Sequence, residues 1–215
     1  MNKPDAPANT AMANTADAQA STVDYYESHA REYFERTVGA DLSSVYNVFL
    51  KYVRPGGRIL DAGCGSGREL KAFRFRGFDP VGIDASDALV TLAREFSGAP
   101  CFRIRLEDVN FNSEFDAVWA CASLLHLPKA TVIPVLQQLR RPLVSGGVLF
   151  VSVQIGAGES VSPDGRFFAY YDPNELVSLL EISGFTALEQ WTSEDLLLSR
   201  RSIRWLNVIA RKANP

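Results

Sequence analysis

The alternation of apolar and polar positions divides most of the chain into short strands and amphipathic helices. From Val23 the sequence is aromatic and charged and lacks proline and glycine, which predicts a helix that ends near Thr37. A second helix is expected over residues 41–53, where apolar side chains recur on one face. The Pro55-Gly56-Gly57 stretch then interrupts regular structure.

Between residues 58 and 155, apolar runs alternate with helical segments. The predicted strands are 58–60, 80–84, 101–106, 115–122 and 146–155. The predicted helices are 68–76, 86–96 with Ser86 as its N-terminal cap, and a third that begins at about Lys129. The fourth strand is apolar at nearly every position, as expected for a strand buried on both faces. This alternation indicates an α/β fold with a mainly parallel sheet.

The end of the chain follows a different pattern. A helix is predicted over residues 172–185, and the strands 186–193 and 201–212 follow it without a helix between them. Two such strands can form an antiparallel hairpin at the edge of the sheet. The segment 156–171 is predicted to be a long loop, and loops of this length in compact domains are often functional.

Length and composition are those of one globular domain with a short tail. The chain has 215 residues, of which 47% are hydrophobic and 22% charged. Residues 1–22 are rich in Ala, Asn and Thr and lack the continuous apolar run of a signal peptide, so we predict a disordered tail. Residues 23–215 would then form the domain. No apolar run approaches membrane-spanning length, and we expect no membrane partner.

Charge and cysteine content narrow the class further. A net charge of −3 argues against a dedicated nucleic-acid binder. Cys64, Cys101 and Cys121 are odd in number and do not have the spacing of metal ligands, so we expect neither a disulfide framework nor a metal site. The reducing cytoplasm is the expected location. Nothing in the sequence indicates an oligomeric state.

The stretch RILDAGCGSGRE, residues 58–69, is the clearest candidate for a ligand site. Its glycines, Gly63, Gly65 and Gly67, permit positive φ and close approach of a ligand, and the following helix offers free N–H groups. The sixth position from Gly63 is Arg68, so the dinucleotide fingerprint G-x-G-x-x-G fails. The phosphate-loop pattern G-x-x-x-x-G-K-[ST] does not occur either. The loop therefore predicts a nucleotide-like ligand without a diphosphate.

Acidic residues follow the next two strands. Asp84 closes the second strand, 23 residues after Asp61, where a carboxylate can accept hydrogen bonds from ribose hydroxyls. The alternative role for Asp84 is that of a partner of the Ser86 cap. Glu107 and Asp108 follow the third strand. The alternative to a ligand-binding role is that they are solvent-exposed residues where the strand ends. Together these positions favour a ligand that carries a ribose.

Four segments, ILDAGCGSGRE, VGIDAS, LEDV and FDAVWACASLLHLP, resemble in order and spacing the motifs of class I S-adenosylmethionine (SAM)-dependent methyltransferases. The run ACASLLH, a later GR-F and W-N-I-A-R-K near the end are similar to small bacterial tellurite-resistance-type or generic small-molecule methyltransferases. The resemblance covers about residues 23–213. It implies a single-domain Rossmann-like fold with a mainly parallel seven-stranded sheet, an antiparallel C-terminal edge hairpin and helices on both faces. Residues 23–54 would form N-terminal lid helices.

The resemblance also implies contacts with SAM and its product S-adenosylhomocysteine. Asp61 would hold the methionine amine, and Asp84 the ribose hydroxyls. The segment Leu106, Glu107 and Asp108 would lie around the adenine. The other implied cofactor contacts are Tyr25, Tyr33, Gly63, Cys64, Gly65, Ser66, Gly67, Arg68, Ala85, Ser86 and Cys121.

The methyl acceptor would lie near His126, just past the fourth strand. Imidazole titrates near neutral pH, so His126 is the candidate general base, and its alternative is a pocket-wall histidine. Tyr26, Arg166 and Tyr170 are the other candidate substrate contacts, with Arg166 as a clamp for an anionic acceptor. The alternative for the aromatics around Arg166 is that they only pack the loop onto the sheet.

The predicted function is transfer of a methyl group from SAM to a small-molecule acceptor by in-line displacement, which requires alignment and exclusion of water. The alternatives are a nucleic-acid or protein methyltransferase, a non-catalytic SAM-binding protein and a NAD-dependent oxidoreductase. The segment Cys121-Ala122-Ser123-Leu124 replaces the [DNS]-P-P-[YFW] motif of DNA enzymes that methylate exocyclic amines. Arg68 at the third-glycine position disfavours the oxidoreductase.

Overall fold

The computed structural model describes residues 15–195 and 203–213. Its strands are β1 Arg58–Ala62, β2 Asp79–Asp84, β3 Cys101–Arg103, β4 Phe115–Cys121, β5 Leu143–Gln154, β6 Glu159–Val161, β7 Phe167–Ala169, β8 Phe185–Glu194 and β9 Arg204–Lys212. The central sheet has seven strands in the order β3-β2-β1-β4-β5-β9-β8. Strands β1 to β5 pair in parallel, whereas β9 runs antiparallel to both β5 and β8. The predicted α/β sheet with an antiparallel hairpin at its C-terminal edge is confirmed.

Helices cover both faces of this sheet. They are α1 Thr15–Ser28, α2 Ala30–Thr37, α3 Ser43–Phe49, α4 Arg68–Phe75, α5 Asp87–Ser97, α6 Lys129–Arg140 and α7 Pro173–Ile182. Short 3₁₀ turns span Leu50–Tyr52, Leu106–Asp108 and Leu124–His126. In the part of the chain that the structure describes, none of the helices combines the length and apolar character needed to cross a membrane.

Strand β4 shows why the fourth strand is apolar at nearly every position. Val118 and Ala120 belong to the core beneath α6 and α7, whereas Ala117 and Trp119 belong to the opposite core with α3 and Phe73 of α4. Successive side chains of a strand point to opposite faces of the sheet. A central strand between two cores therefore needs apolar residues at odd and even positions alike.

The predicted Ser86 cap is present, and a second cap begins α7. The Ser86 hydroxyl accepts a hydrogen bond from the Leu89 N–H at 3.1 Å, and α5 begins at the next residue. Asp172 caps α7, where its side chain and that of Glu175 form a capping box. These local contacts fix where each helix begins and therefore where the preceding strand ends.

The N-terminal prediction needs correction. Residues 15–22, assigned to a disordered tail, belong to α1, and the predicted single helix 23–37 is divided at His29 into α1 and α2. Thr22 is buried and accepts a hydrogen bond from the Phe167 N–H at 2.8 Å, so a tertiary contact orders a segment that composition assigns to the tail. Residues 1–14 of the predicted tail lie outside the described residues.

The segment 156–171 also differs from the prediction. The expected loop contains an antiparallel ribbon in which β6 pairs with β7. The third strand ends at Arg103 rather than residue 106, and the chain turns into the 3₁₀ segment instead. The ribbon and this turn lie beside α1, which contacts β7.

Candidate active site

The topology brings three loops to one edge of the sheet. The chain passes from β1 outward to β2 and β3 and then returns to place β4 on the other side of β1. This reversal is the topological switch point at which open α/β sheets bind ligands, outside the carboxyl ends of the strands. The loops after β1, β2 and β4 therefore meet at one place.

The glycine loop follows β1, and Gly65 and Gly67 have different structural roles in it. Gly65 has φ +51 and lies against Tyr33, whose Cε1 would be 3.2 Å from an added Cβ. Gly67 has φ +75, and an added Cβ would lie 2.8 Å from the Cα of Ala93. Gly65 thus keeps the cleft open beneath Tyr33, whereas Gly67 allows α4 to pack closely on α5.

Asp84 ties the end of β2 to this loop. One carboxylate oxygen accepts a hydrogen bond from the Gly65 N–H at 3.0 Å, and the other accepts from the Ser86 N–H at 3.0 Å. Burial raises the pKa of Asp84, and these backbone donors oppose that shift. A carboxylate has about four acceptor positions, so capacity is left for a ligand.

The cleft at this edge has two adjoining arms. From the predicted set, the walls of the first arm contain Tyr26, Tyr33, Gly63, Gly65, Asp84, Ala85, Leu106, Glu107, Cys121 and His126. From the predicted set, the second arm is lined by Tyr33, Asp61, Gly63, Cys64, Gly65, Ser66, Arg68 and Cys121. The arms share Tyr33, Gly63, Gly65, Cys121 and Ala122, so one extended ligand can occupy both.

Asp61 is the most unusual group in the second arm. Only 2% of the residue is exposed, and its Oδ2 atom has no hydrogen-bond partner among the described residues. Burial and, next, the carboxylate of Glu69 raise the pKa of Asp61 well above its ordinary value. An unpartnered buried carboxylate is costly, and a cationic amine in the arm would supply the missing donor.

Two more buried polar atoms in the cleft walls lack a partner within the described part of the chain: Trp119 Nε1 in the second arm and Ser123 Oγ in the first. The indole N–H can only donate, whereas the hydroxyl can donate or accept. The walls thus offer a carboxylate, a donor and a hydroxyl to a polar ligand, which is the donor and acceptor set that an amino-acid nucleoside such as SAM requires.

Arg68, which excluded the dinucleotide pattern, fixes the loop to the N-terminal helices. Its guanidinium pairs with Glu69, and its Nη1 donates to the Thr37 carbonyl oxygen at 3.1 Å. The hydroxyl of Tyr46 donates to the same Glu69 carboxylate at 3.4 Å. The end of α2 is therefore held at the mouth of the second arm.

A cluster around His126 forms the far wall of the first arm. His126 Nδ1 lies 2.7 Å from the Phe167 carbonyl oxygen, and its Nε2 lies 2.9 Å from the Tyr26 hydroxyl. The Arg166 guanidinium, paired with Asp164 at 2.7 Å, also lies 3.5 Å from that hydroxyl. Burial lowers the pKa of His126 to about 4. The cluster joins α1, the turn after β4 and the ribbon.

Six predicted site residues lie outside the walls of both arms: Tyr25, Gly67, Ser86, Asp108, Arg166 and Tyr170. Tyr25 stacks on His29 with ring centroids 4.5 Å apart. Asp108 lines a groove beside β3 that adjoins the first arm and shares several of its wall residues. Ser86 serves as the cap of α5.

The two predicted substrate contacts of the ribbon are also displaced from the cleft. The Tyr170 hydroxyl lies 3.0 Å from the Ser160 hydroxyl, within the ribbon itself. Arg166 reaches the cleft only through Tyr26, and its ion pair with Asp164 is inconsistent with a free anion clamp. The alternative in which the ribbon packs against its surroundings describes both residues better.

Sequence reasoning missed several residues of the walls. In the first arm they are Gln19, Thr22, Val23, Leu89, Ile104, Arg105, Ala122, Ser123 and Leu127. In the second arm they are Leu42, Val45, Glu69, Trp119, Ala122, Ser152, Ser193, Glu194, Asp195, Trp205 and Asn207. Ser152 and Asn207 are buried polar residues in otherwise apolar strands and face each other in the β5–β9 register, which is a signal that the sequence contained.

This sheet order, with a glycine loop and acidic strand end at the switch point, defines the chain as a class I SAM-dependent methyltransferase. Residues 31–190 match the family described as a methyltransferase domain, and the chain belongs to that family. The group that this class binds, SAM, fits the donors and acceptors of the cleft walls.

Individual relatives agree with this assignment. The malonyl-[acyl-carrier protein] O-methyltransferase of Erwinia pyrifoliae is 34% identical over 119 residues, which cover 53% of this chain and 44% of that protein. A ubiquinone biosynthesis O-methyltransferase of Xanthomonas campestris is 28% identical over 183 residues, 71% of this chain and 75% of that protein. The chain spans about half the length of the first curated relatives that it matches.

A solved structure extends the likeness over almost the whole chain. The 1,6-didemethyltoxoflavin-N1-methyltransferase of Burkholderia thailandensis, crystallised with 1,6-didemethyltoxoflavin and S-adenosylhomocysteine, has a TM-score of 0.78. It covers 97% of this chain and 95% of its own, at 19% identity. At that identity the likeness establishes the fold.

Proposed function

We propose that this chain transfers a methyl group from SAM to a small-molecule acceptor by in-line displacement. The observation that carries the proposal is the buried Asp61 carboxylate, whose Oδ2 lacks a partner among the described residues, in a cleft that also contains Asp84. One carboxylate suits an amine and the other suits a ribose, and the two lie on either side of the same glycine loop. An amino-acid nucleoside carries both of these groups.

In this proposal the second arm holds the methionine part of SAM and the first arm holds the adenosine. Asp61 pairs with the amine, and Asp84 accepts hydrogen bonds from the ribose hydroxyls. Leu106 and Glu107 lie at the adenine end, where the amide of Gln19 donates to Glu107 at 3.0 Å. Gln19 belongs to α1, so the lid helix would close over the adenine end.

SAM supplies a methyl group on a positively charged sulfur, and the protein has to align the acceptor and exclude water. Tyr26 and Tyr33 place aromatic rings in the cleft, edge to face with centroids 5.1 Å apart. Aromatic faces attract cations, so these rings suit a sulfonium. Helix α1 covers the cleft and limits access of water to the reacting atoms.

A small acceptor is favoured over a nucleic acid or a protein. Two of the relatives named above are methyltransferases of ubiquinone biosynthesis and of 1,6-didemethyltoxoflavin, whose names refer to small molecules. The net charge of −3 gives no excess of basic residues for a polyanion. The likeness to tellurite-resistance-type enzymes adds metalloid anions to the acceptors that we would test. The three free cysteines are consistent with a reducing cytoplasm.

A methyl-transfer screen tests the proposal. Purified protein is incubated with SAM and, separately, with thiols, phenols, amines, carboxylates, tellurite or selenite, and formation of S-adenosylhomocysteine is measured. We expect turnover of at least one small molecule and loss of that activity in Asp84→Ala. Label on RNA or protein alone would favour a macromolecular substrate, and SAM binding without any turnover would favour a non-catalytic binder. Full activity of Asp84→Ala would contradict the assigned site.

A further inference from the structure

We infer that Tyr26 and His126 form a proton relay, and that the natural acceptor is a small molecule whose reacting hydroxyl or N–H group still carries its proton at neutral pH. The inference rests on the proposed methyl transfer and deepens it. It assigns a chemical class to the acceptor and a joint role to two residues on different elements.

The hydrogen bonds of His126 define its tautomer. The Phe167 carbonyl oxygen, 2.7 Å from Nδ1, can only accept, so Nδ1 carries the proton. In the neutral ring, Nε2 is then an acceptor, and the Tyr26 hydroxyl at 2.9 Å donates to it. The backbone of the ribbon therefore holds the imidazole with its basic nitrogen directed at Tyr26.

Tyr26 connects this nitrogen to the cleft. Both Tyr26 and His126 line the first arm, together with Cys121 and Gly63 from the loops around the switch point. The Tyr26 oxygen donates its own proton to His126 and retains acceptor capacity for a proton from a ligand. A protic acceptor bound beside the adenosine, at the Tyr26 and His126 wall of the first arm, can therefore pass its proton to Tyr26 while Tyr26 passes one to His126.

The charged groups around the pair favour this transfer. The guanidinium of Arg166 lies 3.5 Å from the Tyr26 oxygen, where it stabilises negative charge that develops there during the transfer. Asp164 neutralises Arg166 on its far side. Burial raises the pKa of Tyr26, so the phenol keeps its proton at rest and acts as a relay rather than as a preformed base. The ionisable groups facing His126 are Tyr26 from α1 and Arg166 and Asp164 from the ribbon.

The step balances as follows. A lone pair of the acceptor atom forms the bond to the methyl carbon, and the carbon–sulfur bond breaks with its electron pair moving to sulfur, which becomes a neutral thioether. The acceptor proton moves to the Tyr26 oxygen, and the Tyr26 proton moves to His126 Nε2. The positive charge that began on sulfur ends on the imidazolium, and the proton later leaves to solvent.

The weak basicity of His126 is compatible with this role. With a pKa of about 4, the imidazole is neutral and able to accept across the whole neutral range. The acceptor becomes strongly acidic as the new bond to carbon forms, so a weak base suffices at that stage. An acceptor that is already an anion, such as a thiolate or selenite, does not require the relay.

The test compares wild type with Tyr26→Phe and His126→Asn, using the acceptor with the highest turnover in the screen and an acceptor that is ionised at neutral pH. General-base catalysis contributes about 10²–10⁴-fold, so we expect kcat for the protic acceptor to fall by that factor in both variants. The wild-type rate should be flat from neutral pH upward. The rates of the variants should instead rise with pH, because they depend on prior ionisation of the acceptor.

Controls separate a chemical role from a structural one. The dissociation constant for S-adenosylhomocysteine and the melting temperature show whether each variant folds, and Tyr26→Phe keeps the ring contacts if His126→Asn does not fold. Tyr52→Phe removes a tyrosine hydroxyl that donates to Glu189 away from the cleft, and it should keep wild-type activity. Unchanged kcat and a flat pH profile in both variants would overturn the relay. Wild-type turnover of ionised acceptors alone would also overturn it. Absence of any turnover would instead reject the proposed function.

Discussion

Replacement of Asp61 by asparagine removes the ionisable group at nearly constant shape. We expect the variant to bind S-adenosylhomocysteine more weakly without becoming less stable. In the ligand-free protein the folded pKa of Asp61 is raised, so the free energy of unfolding falls as pH rises from the unfolded value of 3.8 toward the folded one. The ionised form of Asp61 is therefore less stable in the fold than the protonated form, which asparagine resembles. We expect Asp61→Asn to leave the free energy of unfolding unchanged or to increase it.

Binding should suffer in the same variant. Truncation of one partner of a buried, hydrogen-bonded charge pair costs about 2 to 5 kcal/mol, which corresponds to a rise of at least about 30-fold in the dissociation constant for S-adenosylhomocysteine. Calorimetric titration measures the binding, and urea denaturation measures the stability. Because the amine pairs with the ionised form, wild-type affinity should also fall as pH drops below the ligand-free pKa of Asp61.

The matched control is Asp79→Asn, which removes an exposed carboxylate that lies 3.6 Å from the Arg58 side chain. Asp79 is the first residue of β2, at the end of the strand away from the cleft. Its dissociation constant should stay within about threefold of wild type, as expected for a surface ion pair. An Asp61→Asn protein that binds S-adenosylhomocysteine as tightly as wild type would refute the placement of the amine. A large loss of stability in the ligand-free variant would refute the account of the unpartnered carboxylate.

Two further predictions concern the frame around the cleft. Gly67→Ala should lower the free energy of unfolding by about 1–3 kcal/mol, measured by urea denaturation, because φ is +75 and the new Cβ would meet the Ala93 backbone at 2.8 Å; wild-type stability would contradict the close packing of α4 on α5. Glu27→Gln should lower the protection factors for amide exchange in α1 but not in β4, because the Glu27 carboxylate accepts from the Ser86 hydroxyl at 2.6 Å. This contact lowers the pKa of Glu27, so the wild-type protection factors in α1 should also fall as pH drops through that pKa. Unchanged exchange would show that other contacts hold the lid.

The helices and strands that could be predicted from the sequence were those marked by short-range patterns. The loop glycines, the Ser86 cap and the alternation of strands with helices are local signals, and they located β1, β2, β4 and α5 to within a few residues. Strand β4 could be recognised as a central strand because its side chains are apolar on both faces, and each face packs against a core. The family resemblance then supplied the number of strands, whereas their order in the sheet was not predicted.

The unpredicted features depend on contacts between distant segments. Residues 15–22 have the composition of a tail, and they are helical because Thr22 and Ser21 bond to the ribbon more than 140 positions away. The ribbon itself looks like a loop, since β6 and β7 are short and their pairing is visible only in three dimensions. The same reason explains why Asp108 and Tyr170, acidic or aromatic in suitable places, lie outside the cleft walls.

The carbonyl that fixes the His126 tautomer illustrates the limit most clearly. The sequence indicated an imidazole near the reacting atoms, but its basicity depends on burial and on Phe167, which is 41 positions further along the chain. The residues next to His126 in the sequence do not indicate that Nε2 is the unprotonated nitrogen or that it accepts a hydrogen bond from the Tyr26 hydroxyl. Catalytic roles of this kind require coordinates.

Calorimetric titration of the wild-type protein with S-adenosylhomocysteine is the decisive measurement for the SAM site. We expect one site per chain with a micromolar dissociation constant, and release of protons on binding at a pH below the ligand-free pKa of Asp61. Absence of binding at millimolar ligand, in a protein whose melting curve shows a folded state, would contradict the assignment of the cleft to SAM.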